Sequence, residues 1–193
     1  ANTASDKQVS DIWRVEWNSK RKTPLTQTDN HSEWSPHYSP DGQAIAFLSD
    51  RGDDETTQIW VLPSNGGEAK VLTDYKGGVS DFQWSPDGKS FVLIASDDPN
   101  DTPKDSKGND KPVAPFETNR YQFKQDYDGY LSDKYQHVYR FDLADNKSTA
   151  LTKGAHNQWM ATWSPDGKKI AFVTKRGADP DRHMNYDIYT VDC

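Results

Sequence analysis

The motif Trp-Ser-Pro-Asp-Gly-Lys occurs twice in this chain, at positions 84–89 and 163–168, and a close copy, Tyr-Ser-Pro-Asp-Gly-Gln, occupies positions 38–43. In such a motif the proline presets the backbone for a turn, the aspartate bonds nearby backbone groups, and the glycine accepts a positive φ. An apolar, strand-like run follows each copy. The motif therefore predicts the same tight β-hairpin at three places.

Two further markers keep a constant distance from this motif. A Leu-Thr pair occurs at positions 25–26, 72–73 and 151–152, in each case 13 positions after a β-branched residue, at Ile12, Ile59 and Val138. The interval from the threonine to the proline of the next motif is 14, 13 and 13 positions. This register predicts a repeat of four short antiparallel strands, each unit about as long as one β-propeller blade.

The predicted fold class is all-β: a partial β-propeller of four-stranded antiparallel blades, with two complete blades and two partial ones. The predicted units are the third and fourth strands of a preceding blade (1–26), a complete blade (27–73), a complete blade with a long insertion at about 97–133 (74–152), and the truncated start of a further blade (153–193). An unrelated all-β fold that uses this turn as an ordinary hairpin is the alternative. Three copies in register with two other markers favour the propeller.

Closed propellers have four to eight blades, so we expect this chain to be a segment of a larger propeller. Open blades expose sheet edges and apolar faces. We therefore expect the isolated chain to self-associate or to exchange terminal strands between copies.

Composition narrows the classes of partner. The net charge is −7, and no stripe of Lys and Arg is present to neutralise phosphates, so nucleic acid is not an expected partner. No apolar run approaches the roughly 20 residues that cross a bilayer, so no membrane partner is expected. The single cysteine, Cys193, forms no internal disulfide and indicates no compartment, and both bacterial cytoplasm and periplasm stay open.

The sequence predicts no metal site, no cofactor and no catalytic residue. The five histidines are scattered over different units and none has zinc-like spacing. The acidic segment Asp97–Asp110 lacks the residue order of a calcium loop and is interpreted as a solvated loop. A nucleophile elbow needs Gly-x-Ser-x-Gly, and the nearest stretch, Gly78–Phe82, lacks the second glycine.

Several segments resemble the N-terminal propeller of prolyl oligopeptidase-family serine peptidases, in particular the bacterial acylaminoacyl- and dipeptidyl-peptidase branch. These are Ser-Asp-Ile-Trp-Arg-Val from Ser10, the segments 33–52, 59–73 and 82–98, which include the first two turn motifs, and above all Arg120–Leu143. The last is similar to a family segment with an Arg-Tyr-x-Phe-Lys-x-Asp run, then Gly-Tyr-Leu, then a histidine and a strand. The resemblance implies a propeller that caps a C-terminal α/β-hydrolase domain, which carries the Ser-Asp-His triad, and screens peptide substrates.

The resemblance implies that this chain gates substrate access and holds the hydrolase domain without catalytic residues of its own. Long propeller loops are often binding elements, so Arg120, Tyr121, Tyr127 and Tyr130 are candidates to face substrate or the hydrolase domain. The alternative is that these four side chains brace the loop on its own blade. Two other functions stay open: a stand-alone protein-binding propeller like that of the periplasmic Tol system, and a carbohydrate-active propeller enzyme, for which no pair of carboxylates stands out.

Overall fold

The computed structural model describes residues 9–52, 55–97, 121–125, 129–131, 134–177, 180–182 and 184–193. Within these ranges the regular structure is β-strand apart from one three-residue 3-10 helix, Pro180–Arg182. No helix in the described residues has the length and apolar character needed to cross a membrane.

The chain opens with a pair of short strands and continues into a four-stranded sheet. The N-terminal pair is β1 (Trp13–Val15) and β2 (Lys22–Pro24). The first sheet consists of β3 (Glu33–Tyr38), β4 (Ala44–Ser49), β5 (Gln58–Pro63) and β6 (Lys70–Val71), antiparallel and in chain order.

A second four-stranded sheet and a three-stranded sheet follow. The strands of this part are β7 (Val79–Trp84), β8 (Ser90–Ser96), β9 (Lys124–Gln125), β10 (Gly129–Tyr130), β11 (Gln136–Asp142), β12 (Lys147–Ala150), β13 (Gln158–Trp163), β14 (Lys169–Thr174) and β15 (Asp187–Asp192). The second sheet has the order β7, β8, β11, β12, with β9 and β10 paired separately, and the third sheet has the order β13, β14, β15. The four unit boundaries given above stay predictions.

The three Ser-Pro-Asp-Gly turns share one hydrogen-bond pattern. In the first, the Ser39 hydroxyl donates to Asp41 Oδ1 at 2.6 Å, and the same oxygen accepts the Gln43 N–H at 3.0 Å. The serine hydrogen bond is the main reason that the pKa of each turn aspartate is lowered. Gly42, Gly88 and Gly167 have φ values of 70°, 70° and 69°. Only glycine adopts this backbone conformation without strain, which explains its recurrence.

Each Leu-Thr marker joins the third strand of a unit to the segment that follows its fourth. The threonine hydroxyl oxygen accepts a backbone N–H 14 residues earlier in the chain, at 2.9, 3.0 and 2.9 Å. The same hydroxyl donates to a buried side-chain oxygen: Thr26 to Glu33, Thr73 to Gln58 and Thr152 to Gln158. The marker recurs because each copy satisfies a buried backbone donor.

The core lies between sheets. Phe91 to Ala95 in β8 are buried on both sides, as the continuous apolar run predicts. On one side, Phe91 and Leu93 pack with residues of the first sheet; on the other, Val92 and Ile94 pack with residues of the third. Phe82 and Trp84 lie on the same face of β7, as their alternation predicts.

The tryptophan of the turn motif connects the second sheet to the first and the third sheet to the second, in each case at the first strand. Trp84 Nε1 donates to the His37 carbonyl at 3.2 Å, and Trp163 Nε1 donates to the Gln83 carbonyl at 3.4 Å. The Gln83 side-chain oxygen also accepts the Trp163 N–H and the Thr162 hydroxyl, both at 2.9 Å. The first strands therefore lie side by side along one edge of the stack, which we call the inner edge.

Glu33 provides a testable consequence of this packing. The residue is 2% exposed, and this burial raises the pKa of its carboxyl group. The hydrogen bond from Thr26 and the charge of Arg51, whose Nε lies 3.7 Å from Oε1, act in the opposite direction. Because the pKa of Glu33 is higher in the folded protein than in the unfolded chain, protonation of Glu33 stabilises the fold. The contribution of Glu33 to stability is thus complete below the unfolded pKa of about 4.3 and is lost as pH rises through the native pKa.

We expect the Glu33→Gln variant to gain stability relative to the wild type as pH rises from 4 to 7, measured by urea unfolding at several pH values. Gln158 serves as the internal precedent, because it begins β13 as Glu33 begins β3 and accepts the Thr152 hydroxyl at 3.1 Å. The reciprocal Gln158→Glu variant should lose stability over the same range. The expectation would be contradicted if the free energy of unfolding of the wild type rose relative to that of Glu33→Gln as the pH increased.

Candidate binding cleft

A cleft of about 710 Å³ opens at the inner edge, where the second sheet meets the third. Five strands and one connecting segment contribute to it, so its residues are far apart in the sequence. The lining residues are Ser80, Asp81, Ile94, Gln136, Trp159, Met160, Val173 and Tyr186. We call this feature the inner-edge cleft.

A β-bulge in β13 shapes one side of the cleft. Pairing with β14 shifts register between Trp159 and Thr162, and the intervening Met160 has a φ of 54° and is 73% exposed. Ser35 has a φ of 52° at the matching bulge of β3, so the irregularity is part of the repeat. Bulges redirect side chains at functional edges, and the flexible methionine thioether adapts to varied apolar groups.

Two aromatic side chains form an adjoining wall. The rings of Trp159 and Tyr186 meet edge to face with centroids 5.5 Å apart and an interplanar angle of 69°. The ammonium of Lys175 lies 4.6 Å from the centroid of the Tyr186 ring. An aromatic pair of this kind offers a large and rigid apolar surface to a ligand.

Asp81 supplies the carboxylate of the cleft. Burial raises its pKa, against the opposing effects of the hydrogen bond that Oδ1 accepts from the Phe82 N–H at 2.9 Å and of the nearby His37. A carboxylate beside an apolar wall accepts N–H groups from a ligand. The cleft therefore combines apolar contact surface with a hydrogen-bond acceptor, which is the usual composition of a small-ligand or peptide site.

A smaller cleft of about 520 Å³ lies between the first and second sheets and shares Ser80 and Gln136 with the inner-edge cleft. Trp34, Gly77 and Gly78 are among its other lining residues. Trp34 and Trp159 are the second residues of β3 and β13, so each cleft has a tryptophan from the same position of the repeat. The two clefts therefore adjoin each other at Ser80 and Gln136.

The insertion residues that the sequence singles out are only partly described. Tyr121 is 67% exposed, and the guanidinium carbon of Arg182 lies 4.8 Å from its ring centroid. The backbone of Tyr130 pairs with Lys124 in the β9–β10 hairpin. Arg120 and Tyr127 lie outside the described residues. The assignment of these four residues to a substrate or to a domain interface stays a prediction.

The described residues include no group of three or more His, Cys, Asp or Glu side chains that could hold a metal ion. His31 and His137 instead contact acidic side chains one at a time, Asp50 at 3.6 Å and Asp97 at 3.8 Å. Sequence reasoning did not find the inner-edge cleft. The available signal was the tryptophan at the second position of β3 and of β13, which marks the matching edges of two units.

One of the sequence relatives of this chain is an uncharacterized peptidase. No protein-family model matches the chain. An uncharacterized peptidase of Bacillus subtilis, YuxL, is 31% identical over 195 residues, which cover 97% of this chain and 28% of that protein. An uncharacterized protein of Agrobacterium fabrum is 29% identical over 92 residues, covering 43% of this chain and 31% of its own length. The chain spans less than a third of either relative.

Solved structures with a similar fold include a peptidase and a TolB protein. An acylaminoacyl peptidase of Pyrococcus horikoshii matches 98% of this chain and 28% of its own, with a TM-score of 0.69 and 19% identity. TolB of Acinetobacter baumannii matches 94% of this chain and 35% of its own, with a TM-score of 0.58 and 19% identity. The predicted all-β partial propeller is confirmed, and so is the resemblance to propellers of prolyl oligopeptidase-family peptidases.

Proposed function

We propose that this chain is the propeller segment of a serine peptidase and that it controls which peptides reach a C-terminal α/β-hydrolase domain while holding that domain in place. The observation that carries the proposal is the 31% identity to a peptidase along 97% of the chain. The absence of a Gly-x-Ser-x-Gly sequence supports a role without catalysis of its own.

The inner-edge cleft supports the gating role. An extended peptide carries backbone N–H groups and apolar side chains together, and the cleft offers the Asp81 carboxylate beside Trp159 and Met160. These contacts select peptides by size and polarity before they reach a nucleophile. Binding energy from such a remote region affects kcat/KM for long substrates more than for short ones.

The test uses the full-length protein that contains this chain, with Met160→Trp as the variant. The added ring narrows the cleft, so kcat/KM for peptides of eight or more residues should fall several-fold relative to kcat/KM for an aminoacyl nitroanilide. Val71→Trp is the matched control, because Val71 is 52% exposed on the outer strand β6. Equal effects of both variants on long and short substrates would contradict gating through the cleft.

A second measurement addresses the peptidase itself. Hydrolysis by the full-length protein should be abolished by a serine-directed reagent, and the 193-residue chain alone should release no nitroaniline. Turnover by the isolated chain would overturn the assignment of catalysis to a separate domain.

The alternative is a stand-alone protein-binding propeller. Its support is the likeness to TolB, which covers 94% of this chain at a TM-score of 0.58. The reading frame beyond Cys193 separates the two functions. A Gly-x-Ser-x-Gly region within a few hundred codons favours the peptidase, and a stop codon soon after the ring can close favours the binding propeller.

A further inference from the structure

The smaller cleft is an internal feature of the stack of sheets. Its walls come from the first and second sheets, which have four strands each. Both sheets also have a packed neighbour on their other face, the N-terminal pair on the first and the third sheet on the second. Its volume of about 520 Å³ lies within the range of small-ligand sites. The cleft therefore has the size and the setting of a binding site.

The lining of the smaller cleft is polar but carries no charge. Among the described residues that form it, four have a hydroxyl group, one has an amide, one is a tryptophan and none is ionisable. The inner-edge cleft differs in this respect, because it contains the Asp81 carboxylate. A charged ligand would lose hydration in the smaller cleft without meeting an opposite charge. The lining therefore favours a neutral, polar ligand.

Three polar side chains of this lining are available to a ligand. The hydroxyls of Thr57 and Ser96 and the amide of Gln136 have no hydrogen-bond partner within the described part of the chain. The Ser80 hydroxyl donates to the Ile94 carbonyl only at 3.5 Å, which is long for a hydrogen bond. Hydroxyl and amide groups both donate and accept. A matching ligand therefore carries several groups that also do both.

Trp34 adds a flat apolar wall to these polar groups. Its backbone pairs with Leu48 in β4, and its half-buried ring packs against the buried cluster between the first and second sheets. The rest of the ring lines the cleft. Contact with the core holds the ring in one orientation. The face of an aromatic ring carries partial negative charge and attracts C–H groups that lie over it.

Backbone hydrogen bonds connect the two walls of the cleft. The Val79 N–H of the second sheet donates to the Thr57 carbonyl at 2.8 Å, beside the start of β5 in the first sheet. The Ser96 N–H at the end of β8 donates to the Gly78 carbonyl at 3.1 Å. The lining is thus positioned before a ligand arrives, which lowers the entropy cost of binding.

We propose that the smaller cleft binds a neutral saccharide, with the C–H face of one sugar ring on Trp34 and its hydroxyls paired with Thr57, Ser96 and Gln136. A sugar ring combines an apolar face, several hydroxyls that each donate and accept, and no charge. A purely apolar ligand would leave the polar lining groups unpaired. The N–H of a peptide backbone only donates and its carbonyl only accepts, so a peptide matches three such groups less well.

The proposal concerns binding, and it does not depend on the peptidase role. The described lining has no pair of carboxylates, which glycoside hydrolysis requires, so we assign no cleavage of the sugar to this cleft.

The test uses the full-length protein that contains this chain and measures Kd by saturation-transfer difference NMR. The probes are three neutral disaccharides: cellobiose, maltose and N,N′-diacetylchitobiose. We expect at least one of them to bind. Trp34→Ala should raise its Kd about tenfold, because the stacking surface is lost. Gln136→Leu keeps the size of the side chain without its amide and should raise Kd several-fold, whereas Trp34→Phe should retain most of the affinity.

The matched control is Trp17→Ala. Trp17 is 83% exposed in the turn after β1, outside the cleft, so its removal should leave Kd unchanged. Circular dichroism establishes that each variant is folded. The proposal is overturned if none of the three disaccharides binds, or if neither Trp34→Ala nor Gln136→Leu weakens binding. It is also overturned if digalacturonate, a charged disaccharide, binds more tightly than the neutral probes. An unglycosylated peptide that displaces the disaccharide with equal affinity would identify a peptide site instead.

Discussion

Replacing Phe91 with alanine is expected to lower the free energy of unfolding by about 3–5 kcal/mol, the usual cost of deleting a buried phenylalanine ring. Phe91 lies in β8 and is 0% exposed. Its ring centroid is 5.4 Å from that of Phe82 and 4.3 Å from that of Trp84. Both of those rings belong to β7 of the same sheet, and Phe91 also lies in one buried cluster with Ala46, Leu48 and Ile59 of the first sheet. Removal of the ring therefore leaves a cavity at the contact between the first and second sheets.

Urea unfolding followed by tryptophan fluorescence and by circular dichroism measures this loss. Because small domains have about 5–15 kcal/mol of stability in total, this loss is a large share of the whole and should shift the urea midpoint clearly. Phe123→Ala is the matched control: Phe123 is 50% exposed, so the same truncation should cost less than 1 kcal/mol. Comparable losses for the two variants would show that the core is not where the structure places it.

Local sequence accounts for much of the fold. The turn motif contains within four residues the proline, aspartate and glycine that close each hairpin, and the strands flanking it alternate or run apolar according to burial. For that reason the hairpins, their order and the two-sided burial of β8 follow from the sequence. The Leu-Thr marker was visible as a spacing, but its cause, a hydroxyl that accepts a backbone N–H 14 residues away, is visible only in three dimensions.

The candidate cleft depends on contacts that no local pattern encodes. Asp81 and Trp159 come from different sheets, and the bulge that exposes Met160 arises from a register shift between strands. Arg51 and Arg176 illustrate a missed signal: each precedes a glycine at the matching position and lies over an aromatic ring, Trp60 at 4.5 Å and Tyr189 at 4.7 Å. Recurrence of an Arg-Gly pair identifies the position, while the ring beneath it follows only from strand pairing.

At the smaller cleft, the backbone at Gly77 lies close to the backbone at Ser96 and Asp97. A Cβ atom at this position would lie 2.2 Å from the Asp97 carbonyl oxygen and 2.4 Å from that of Ser96. Neither segment moves easily, because the Asp97 N–H donates to the Tyr135 carbonyl at 2.9 Å and the Ser96 N–H donates to the Gly78 carbonyl at 3.1 Å. A side chain at Gly77 therefore breaks backbone pairing at the end of β8.

The Gly77→Ala variant should lose about 3 kcal/mol or more of unfolding free energy, the upper end of the cost of overpacking. Gly42→Ala separates this steric effect from backbone conformation, since a Cβ at Gly42 meets no atom within 4 Å but its φ is 70°. That control should lose about 1–2 kcal/mol, the cost of a left-handed backbone for a residue with a side chain. If Gly77→Ala were no less stable than Gly42→Ala in urea unfolding, the backbone at Gly77 would not lie against the end of β8. The smaller cleft would then have a different shape.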